Sequence, residues 1–321
     1  MLDSLSFDES FRGPFLQALI KISRDTGLYP DGLLQHDVVI WDEGVFPGLF
    51  RTIRRGTHKG QVVAIKFANV NRPHDSGIIA EFSGEALLWR QLRHINVLPL
   101  LCLFRGNGHH SSIGLVSPWM RNGEMLLYIS RNRNADRVSL MRDVAKGLKY
   151  LHNMKPSIIH GELMPYNILI TDTHRACIAD FRLSTGYQSE ALGLSLPSLP
   201  GERAGLRFTA PELLSGGERI DCNISSDIYS FGCVLHSAFS GVPPFHGTDS
   251  DYTAVLRVTR GERPPRPSHC VRTGVSCSSS GLDDTMWSIV EDCWHQDPTA
   301  RPTTTEILSR FPTSAPRDVV V

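Results

Sequence analysis

The chain has 321 residues, and its 33 Lys and Arg residues balance 33 Asp and Glu residues, so its formal net charge is zero. Apolar residues make up 41% of the chain and charged residues 21%, a composition that fills a core and excludes a disordered chain. This length suits two packed lobes or domains. The balanced charge gives no long-range attraction to nucleic acid, so we expect no such partner.

Two features of the sequence bear on location. The longest run without a charged or strongly polar residue covers residues 97–104, far short of the roughly 18 residues that span a bilayer. Residues 1–10 are acidic and lack the basic and apolar regions of a signal peptide. We therefore predict a cytoplasmic protein without a membrane span.

Seven cysteines stand at irregular spacings, and no pair has the C-x-x-C spacing of a zinc knuckle or a redox motif. A scattered set in apolar surroundings predicts buried, reduced thiols. Cys270 and Cys277 lie in a polar stretch and could pair in an oxidising compartment, but nothing else in the sequence indicates such a compartment. The histidines show no ligand-like spacing, so we predict no structural metal.

Residues 9–26 predict an amphipathic helix, because apolar side chains recur there at spacings of four, four and three. The glycine- and proline-containing segment 27–32 then ends it. Such a helix more often packs on its own domain than recruits a partner, so we expect its apolar face to be buried. That face consists of Phe11, Phe15, Leu19 and Ile22.

The hydrophobic pattern then changes from short β-type runs to a mostly helical part beyond residue 125. In that part, Leu140, Val144, Leu148 and Leu151 mark one buried helix face. The predicted elements are strands at 38–40, 61–67 and 113–116, helices at 78–92, 224–241 and 285–295, and loops at 186–207 and 262–281.

Six motifs and one glutamate follow one another in a fixed order. Val-Ala-Ile-Lys ends at Lys66, and Glu85 follows within the predicted helix 78–92. The segment His-Gly-Glu-Leu-Met-Pro-Tyr-Asn starts at His160, and Asp-Phe-Arg starts at Asp180. The remaining motifs are Ala-Pro-Glu ending at Glu212, the segment from Asp227 to Gly232, and the segment from Cys293 to Pro302.

In this order and at these intervals, the chain resembles the eukaryotic protein kinases over residues 37–312, most closely the tyrosine-kinase-like Ser/Thr group. The resemblance implies a two-lobed α+β fold with ATP in the cleft between the lobes. The N-lobe would cover about 37–120 and the helical C-lobe about 121–312. Residues 1–36 would be an N-terminal extension with the amphipathic helix, and residues 313–321 a C-terminal tail.

The resemblance also implies roles for single residues. Lys66, held by Glu85, would grip the α- and β-phosphates of ATP, and Asp180 and Asn167 would hold Mg²⁺. Glu162 takes the place of the catalytic aspartate that accepts the proton of the substrate hydroxyl. The other implied nucleotide contacts are Gly48, Ile53, Ala64, the gatekeeper Ser117, the hinge residue Met120 and Leu169.

Three further motif positions imply structural roles. Glu212 and Arg301 resemble the buried ion pair of the family, and Asp227 resembles the helix residue that braces the catalytic loop. We expect His160 to brace the same loop rather than to act as a base.

Several positions depart from the family pattern. Glu162 adds a methylene that moves its oxygens by on the order of 1 Å, and such misplacement can cost about 10²-fold in rate. Met164 removes the lysine that Ser/Thr kinases place beside the γ-phosphate. Arg182 replaces the glycine of Asp-Phe-Gly, and Gly161 replaces an arginine that would read an activation-loop phosphate. The glycine-rich loop keeps only Gly48, with Phe46 and Arg51 at its outer glycine positions.

Three interpretations remain open at this point. The departures favour a pseudokinase that keeps a Mg-ATP pocket and transfers phosphate poorly or not at all. The survival of Lys66, Glu85, Asn167 and Asp180 favours an active but slow Ser/Thr kinase that phosphorylates protein hydroxyls with Glu162 as base. An interaction module that binds no nucleotide leaves those four residues unexplained. In each case a protein substrate or signalling partner is expected.

Overall fold

The structure is a computed structural model that describes residues 9–26, 28, 30–47, 51–68, 84–105, 113–181, 185–186, 205–214, 221–248 and 250–312. The chain divides into two compact units, residues 1–120 and residues 121–321. The first unit contains a six-stranded sheet, and the second is mostly helical. The predicted α+β fold class is confirmed.

The first unit is organised around one sheet. Its strands are β1 (Leu34–Gln35), β2 (Val38–Pro47), β3 (Arg51–His58), β4 (Gln61–Ala68), β5 (Cys102–Arg105) and β6 (Ile113–Pro118). The strand order is β1-β5-β6-β4-β3-β2, with β1 parallel to β5 and all other neighbours antiparallel. A helical segment, α2 (84–90), belongs to the same unit.

One face of this sheet carries an apolar core. Val63 and Ile65 of β4 and Val116 of β6 are completely buried there, together with side chains from β2 and β5. Because successive side chains of a strand project to opposite faces, Ala64 and Lys66 belong to the other face. The alternating direction of the side chains along β4 therefore places the core residues and the candidate functional residues on opposite faces of the sheet.

The N-terminal helix, α1 (Glu9–Thr26), has the predicted bounds, but the predicted packing face is wrong. The buried residues are Leu16, Ile20 and Ser23, at spacings of four and three. Apolar residues occupy two adjacent stripes of this helix, and the buried stripe ends where the Ser23 hydroxyl donates to the Leu28 carbonyl. Of the predicted face, Phe15 and Ile22 are exposed, Leu19 is half-buried, and the side chain of Phe11 lies outside the described residues.

The second unit consists of helices around the long, almost fully buried helix α6. The predicted face of α4 is confirmed, because its four residues are each at most 2% exposed. The helices are α3 (Met125–Arg131), α4 (Arg137–His152), α5 (Pro211–Leu214), α6 (Ile224–Ser240), α7 (Asp251–Thr259), α8 (Asp284–Cys293) and α9 (Thr304–Arg310). The strands are β7 (Ile158–Ile159), β8 (Ile168–Ile170), β9 (Ala176–Ile178) and β10 (Thr185–Gly186), with β7 paired to β10 and β8 to β9.

Some predicted boundaries differ from the observed ones. Strand β6 continues to Pro118, and α8 begins one residue early because the Asp283 side chain caps it by accepting from the Met286 N–H. The predicted loop 262–281 contains a short hairpin, in which His269 pairs with Ser276. Residues 78–83 of the predicted helix and 187–204 of the predicted loop lie outside the described residues.

Two further expectations concern the whole chain. All seven cysteines are free, and six of them are buried, so the prediction of buried, reduced thiols holds for all but the partly exposed Cys222. Within the described ranges, no helix has both the length and the apolar character that a membrane span requires.

His236 on α6 makes the stability of the second unit depend on pH. Its ring packs on Trp294, with centroids 5.6 Å apart, and burial lowers its pKa to about 4 although the backbone of Pro265 opposes the shift. The unfolded chain binds a proton below about pH 6.5, whereas the folded chain binds it only near pH 4. Between these values the free energy of unfolding therefore falls as the pH falls.

We expect this loss to reach about 3 kcal/mol, since one pKa unit corresponds to about 1.4 kcal/mol. Urea unfolding measured between pH 7 and pH 4 tests it, with His236→Gln as the comparison. In the variant, the free energy of unfolding should fall less steeply between pH 6.5 and pH 4, because residue 236 then has no imidazole to protonate. Parallel profiles for the two proteins over this range would contradict the assignment.

Candidate functional site

The sheet of the first unit brings four of the predicted residues to one face. Lys66 on β4 pairs with Ile53 on β3 and with Leu115 on β6. Ala64, two residues earlier, pairs with Ser117. Directly paired residues of antiparallel strands project to the same side, so Ile53, Ala64, Lys66 and Ser117 share the face opposite the apolar core.

An ion pair fixes the lysine of this face. Glu85 on α2 is almost completely buried, and its Oε1 lies 3.8 Å from Nζ of Lys66. A buried carboxylate is costly unless a cation compensates it, so the pair holds the ammonium group near the helix. The structure thus brings together the two residues that the motif spacing linked.

Sequence reasoning missed a second cation on this sheet. The guanidinium of Arg55 on β3 lies over the rings of Trp41 and Trp119, 5.5 and 4.7 Å from their centroids. Arg55 pairs with Ala64, so it projects to the same face as the predicted residues. The stack connects β2 and β3 to the segment directly before Met120, which is partly exposed. Only the register of the strands reveals this contact.

In the second unit, a buried carboxylate holds the loop that follows β7. Asp227 on α6 is 1% exposed and accepts hydrogen bonds from the backbone N–H groups of His160 (2.8 Å) and Gly161 (2.9 Å). Its Oδ2 also lies 2.9 Å from Nε2 of His152. The bracing role predicted for Asp227 is confirmed.

His160 is fully buried and uses both ring nitrogens. Its Nε2 lies 3.0 Å from the carbonyl oxygen of Ala179, and its Nδ1 accepts from the N–H of Glu162 at 3.3 Å. A carbonyl accepts and an N–H donates, so the ring is the neutral tautomer with its proton on Nε2. The imidazole therefore braces the loop, as predicted, and has no lone pair left for a reaction.

The hairpin of β8 and β9 brings Asn167 and Asp180 to one end. The Nδ2 of Asn167 donates to the carbonyl of Glu162 (2.9 Å), and the Asn167 carbonyl accepts from the N–H of Ala179 (2.8 Å). The first bond uses the amide nitrogen of Asn167 and not its amide oxygen, and the second ties its backbone to Ala179, the residue before Asp180. Carboxylate and amide oxygens are ligands that Mg²⁺ takes, so this donor set fits the ion.

The backbone of Asp180 is itself unusual, with φ of +66°. Asp adopts this left-handed conformation more readily than most residues, but it remains costly and recurs where function requires it. Leu169, the last predicted residue described, lies half-buried on β8 opposite Cys177. Gly48, Arg182 and the side chains of Phe46 and Arg51 lie outside the described residues.

Comparison with known proteins identifies the family. The model of the family "protein tyrosine and serine/threonine kinase" matches residues 42–311, which is most of the chain. The chain belongs to the protein kinase family. Its two units contain the sheet of the N-lobe and the helices of the C-lobe that this fold requires.

Several curated kinases are similar to it. A probable serine/threonine-protein kinase, drkC of Dictyostelium discoideum, is 30% identical over 80% of this chain and 32% of its own length. The serine/threonine-protein kinase VIK of Arabidopsis thaliana is 27% identical over 82% and 57%. The dual specificity protein kinase shkC of Dictyostelium discoideum is 27% identical over 86% and 51%. This chain thus spans between a third and three-fifths of these relatives.

The structure gives a reason for one departure from the kinase pattern. Gly161 stands where kinases have an arginine, and its φ is +79°. In this left-handed conformation a residue with a Cβ costs roughly 1–2 kcal/mol more than glycine. The glycine therefore relieves the backbone of this catalytic loop, while the cation that would read an activation-loop phosphate is absent at this position.

A second departure places an apolar side chain at the kinase lysine position. Met164 is 5% exposed, and a Cβ added to Gly205 would lie 3.1 Å from its terminal methyl. Met164 and Glu162 both line a pocket that also includes Phe208 and Thr209. Position 164 therefore contributes hydrophobic contact to the pocket and no positive charge.

The predicted ion pair of the kinase C-lobe is confirmed. Arg301 donates two hydrogen bonds to the carboxylate of Glu212, at 2.7 and 2.8 Å. Its side chain is fully buried and also donates to the carbonyls of His295 and Ser225. The guanidinium lies 5.1 Å from the ring centroid of Tyr229. This arginine joins the segment before α9 to α5 and α6.

We expect Arg301→Ala to lower the free energy of unfolding by about 3–5 kcal/mol, because it leaves the carboxylate of Glu212 without its partner. Arg266→Ala is the matched control, since Arg266 pairs with the almost fully exposed Asp284, and it should cost less than about 1 kcal/mol. Urea unfolding measures both values. Equal losses in the free energy of unfolding for the two variants would contradict the prediction that the buried ion pair contributes more stability than the exposed one.

Proposed function

We propose that the chain is a protein kinase domain that binds Mg-ATP and transfers the γ-phosphate weakly or not at all, as a pseudokinase or slow kinase in signalling. The observation that carries the proposal is the Lys66–Glu85 ion pair on the sheet face shared with Ala64 and Ser117. A core-facing or purely structural role does not require a buried carboxylate to hold a lysine on that face. We also propose a tyrosine-kinase-like Ser/Thr type, a cytoplasmic location, and a protein substrate or signalling partner.

The proposed contacts with Mg-ATP are the residues that the sequence analysis singled out. ATP supplies the phosphoryl group, and Lys66 neutralises its α- and β-phosphates while the amide oxygen of Asn167 and the carboxylate of Asp180 hold Mg²⁺. The remaining proposed contacts with the nucleotide are Gly48, Ile53, Ala64, Ser117, Met120 and Leu169.

Weak transfer follows from the fixed backbone of Glu162. Its N–H donates to His160, and its carbonyl accepts from Asn167, so both sides of the residue are tied. The backbone therefore has little freedom to compensate the extra methylene of the glutamate. Its carboxylate therefore lies on the order of 1 Å away from the place of a shorter aspartate carboxylate, and Met164 adds no cation.

An active Ser/Thr kinase is the second candidate. Its support is the retained network of His160, Asn167 and Ala179, which keeps the loop and the proposed metal ligands in place. In this case Glu162 accepts the proton of a protein hydroxyl. A scaffold that binds no nucleotide is less well supported, because it gives no role to the pair Lys66 and Glu85.

Nucleotide binding is tested by thermal unfolding. Mg-ATP at about 100 times its Kd should stabilise the chain by about 2.7 kcal/mol, which raises its melting temperature by several degrees. Lys66→Met should remove most of this shift, because the cation that faces the phosphates is lost. Lys146→Met is the control, since Lys146 is an exposed residue of α4, and it should keep the shift. A wild-type chain without any shift would contradict the proposal.

Phosphate transfer is tested at Glu162. We expect Glu162→Asp to raise the rate of transfer to a generic protein substrate by about 10- to 100-fold, because the shorter side chain restores the position of the base. Glu162→Gln should remain inactive and controls for folding. Labelled ATP measures transfer. A wild-type rate within the usual kinase range of about 1–100 s⁻¹ would favour the active enzyme instead.

A further inference from the structure

The structure contains a buried cation without a carboxylate partner. Arg137 begins α4 and its side chain is fully buried. Its Nη1 donates to the carbonyl of Phe239 (3.1 Å) and its Nη2 to the hydroxyl of Thr273 (3.4 Å), while its Nε has no hydrogen-bond partner. Over the described part of the chain, no carboxylate lies within salt-bridge distance of Arg137.

A buried guanidinium in this environment requires a nearby anion to compensate its charge. Arginine is almost never fully buried unless it is paired, because desolvation of the cation is expensive. The position adds to the cost, since the N-terminus of a long helix already carries a partial positive charge. The two acceptors of Arg137, a carbonyl oxygen and a hydroxyl oxygen, are neutral dipoles. The guanidinium therefore has no carboxylate as its counter-ion.

Two cysteines share hydrogen-bond partners with the guanidinium: Cys277 shares the Phe239 carbonyl and Cys270 shares the Thr273 hydroxyl. The hairpin of the 262–281 segment is closed by hydrogen bonds from the Cys270 N–H to the Val275 carbonyl (2.9 Å) and from the Cys277 N–H to the Ser268 carbonyl (2.8 Å). With His269 opposite Ser276, the alternation of side chains puts Cys270 and Cys277 on one face of the hairpin.

This face of the hairpin contacts the C-terminal end of α6, where Arg137 donates to the Phe239 carbonyl. The sulfur of Cys277 lies 3.5 Å from the carbonyl oxygen of Phe239, the same oxygen that accepts from Arg137. The sulfur of Cys270 lies so close to Gly241 that a Cβ there would be 2.7 Å from it. Both sulfurs thus lie at the C-terminal end of α6, where the guanidinium is buried.

The surroundings of the two sulfurs differ. Burial raises the pKa of the Cys270 thiol, but hydrogen bonds from the hydroxyl and N–H of Thr273, the charge of Arg137 and the N–H of Arg272 outweigh it, so the pKa falls below its usual value. Burial raises the pKa of Cys277, and Arg137 offsets this only in part. One sulfur is therefore stabilised as an anion and its neighbour as a neutral thiol.

We propose that Cys270 is a thiolate that serves as the counter-ion of Arg137, and that this pair of cysteines is a site of oxidation by hydrogen peroxide. The thiolate attacks one peroxide oxygen, the O–O bond breaks, and the leaving hydroxide takes a proton to become water. The resulting sulfenic acid of Cys270 is attacked by the sulfur of Cys277, which forms the disulfide and releases a second water. Two thiols and one peroxide thus give one disulfide and two waters.

The site is separate from the candidate catalytic loop. Phe239 lies at the C-terminal end of α6, and Asp227, which holds that loop, lies near its N-terminus. Twelve residues of helix correspond to about 18 Å. Cys270 itself is 1% exposed, while Val271 and Gly274 of the adjoining turn are exposed.

The first test measures the pKa of Cys270 directly and leaves Arg137 and Thr273 unchanged. The absorbance of thiolate near 240 nm is titrated in the wild-type chain and in Cys270→Ser, and their difference belongs to Cys270. The proposal expects a midpoint below the usual thiol value of about 8.5. A midpoint at or above this value would overturn it.

The second test maps oxidation by mass spectrometry after limited treatment of the full chain with hydrogen peroxide. We expect the Cys270–Cys277 disulfide to form at least about 10-fold faster than oxidation of the more exposed Cys222, because the thiolate reacts and the thiol does not. Cys277→Ser should leave a sulfenic acid at Cys270 that dimedone traps. Oxidation of Cys222 while Cys270 stays reduced would overturn the proposal.

A matched pair of variants tests the counter-ion. Arg137→Gln should slow the oxidation of Cys270 at pH 7 by about 10-fold, since a rise of one unit in its pKa lowers the thiolate fraction tenfold. Arg133→Gln is the control, because Arg133 is exposed and donates to the carbonyl of Thr273 from outside, and it should leave the rate unchanged. Equal rates for both variants would refute the role of Arg137.

Discussion

The candidate catalytic chemistry depends on the buried carboxylate of Asp227. Removing this charge from water is costly, and the two backbone N–H groups of His160 and Gly161, with the ring of His152, compensate it. These bonds fix the start of the loop. The ring of His160 in turn binds the carbonyl of Ala179, the residue before Asp180, and so fixes that segment as well. The backbone positions of the proposed base and of both proposed metal ligands therefore depend on one carboxylate on α6.

This constraint also explains why small departures from the kinase pattern matter. A loop that is tied at its N–H and carbonyl groups does not shift to suit a longer side chain at Glu162. The left-handed backbone of Gly161 is part of the same arrangement, and it suits glycine better than the arginine of other kinases. The loop is thus held by polar contacts of its backbone, while the side chains at the proposed catalytic positions 162 and 164 depart from the kinase pattern.

The sequence predicted those parts of the structure that rest on residue type at fixed spacing. The pairs Lys66–Glu85 and Glu212–Arg301 are such cases, because each joins two motif residues. The buried face of α1 was not predictable in this way, since two adjacent stripes are apolar and only tertiary contact decides between them. The stack of Arg55 depends on strand register, and the order of the 262–281 segment depends on contacts with residues more than a hundred positions away.

Two of the buried charges of the second unit, Asp227 and Arg137, lie near opposite ends of helix α6 in contrasting situations. At its N-terminal end the Asp227 carboxylate receives three donors, so its charge is compensated within the fold. At its C-terminal end Arg137 receives only neutral oxygens, although an arginine is as costly to bury as a carboxylate. Unless an anion is present, the second unit carries an uncompensated cation at the start of α4. The sulfur of Cys270 is the group beside it that becomes an anion most readily, because Thr273 already donates to it.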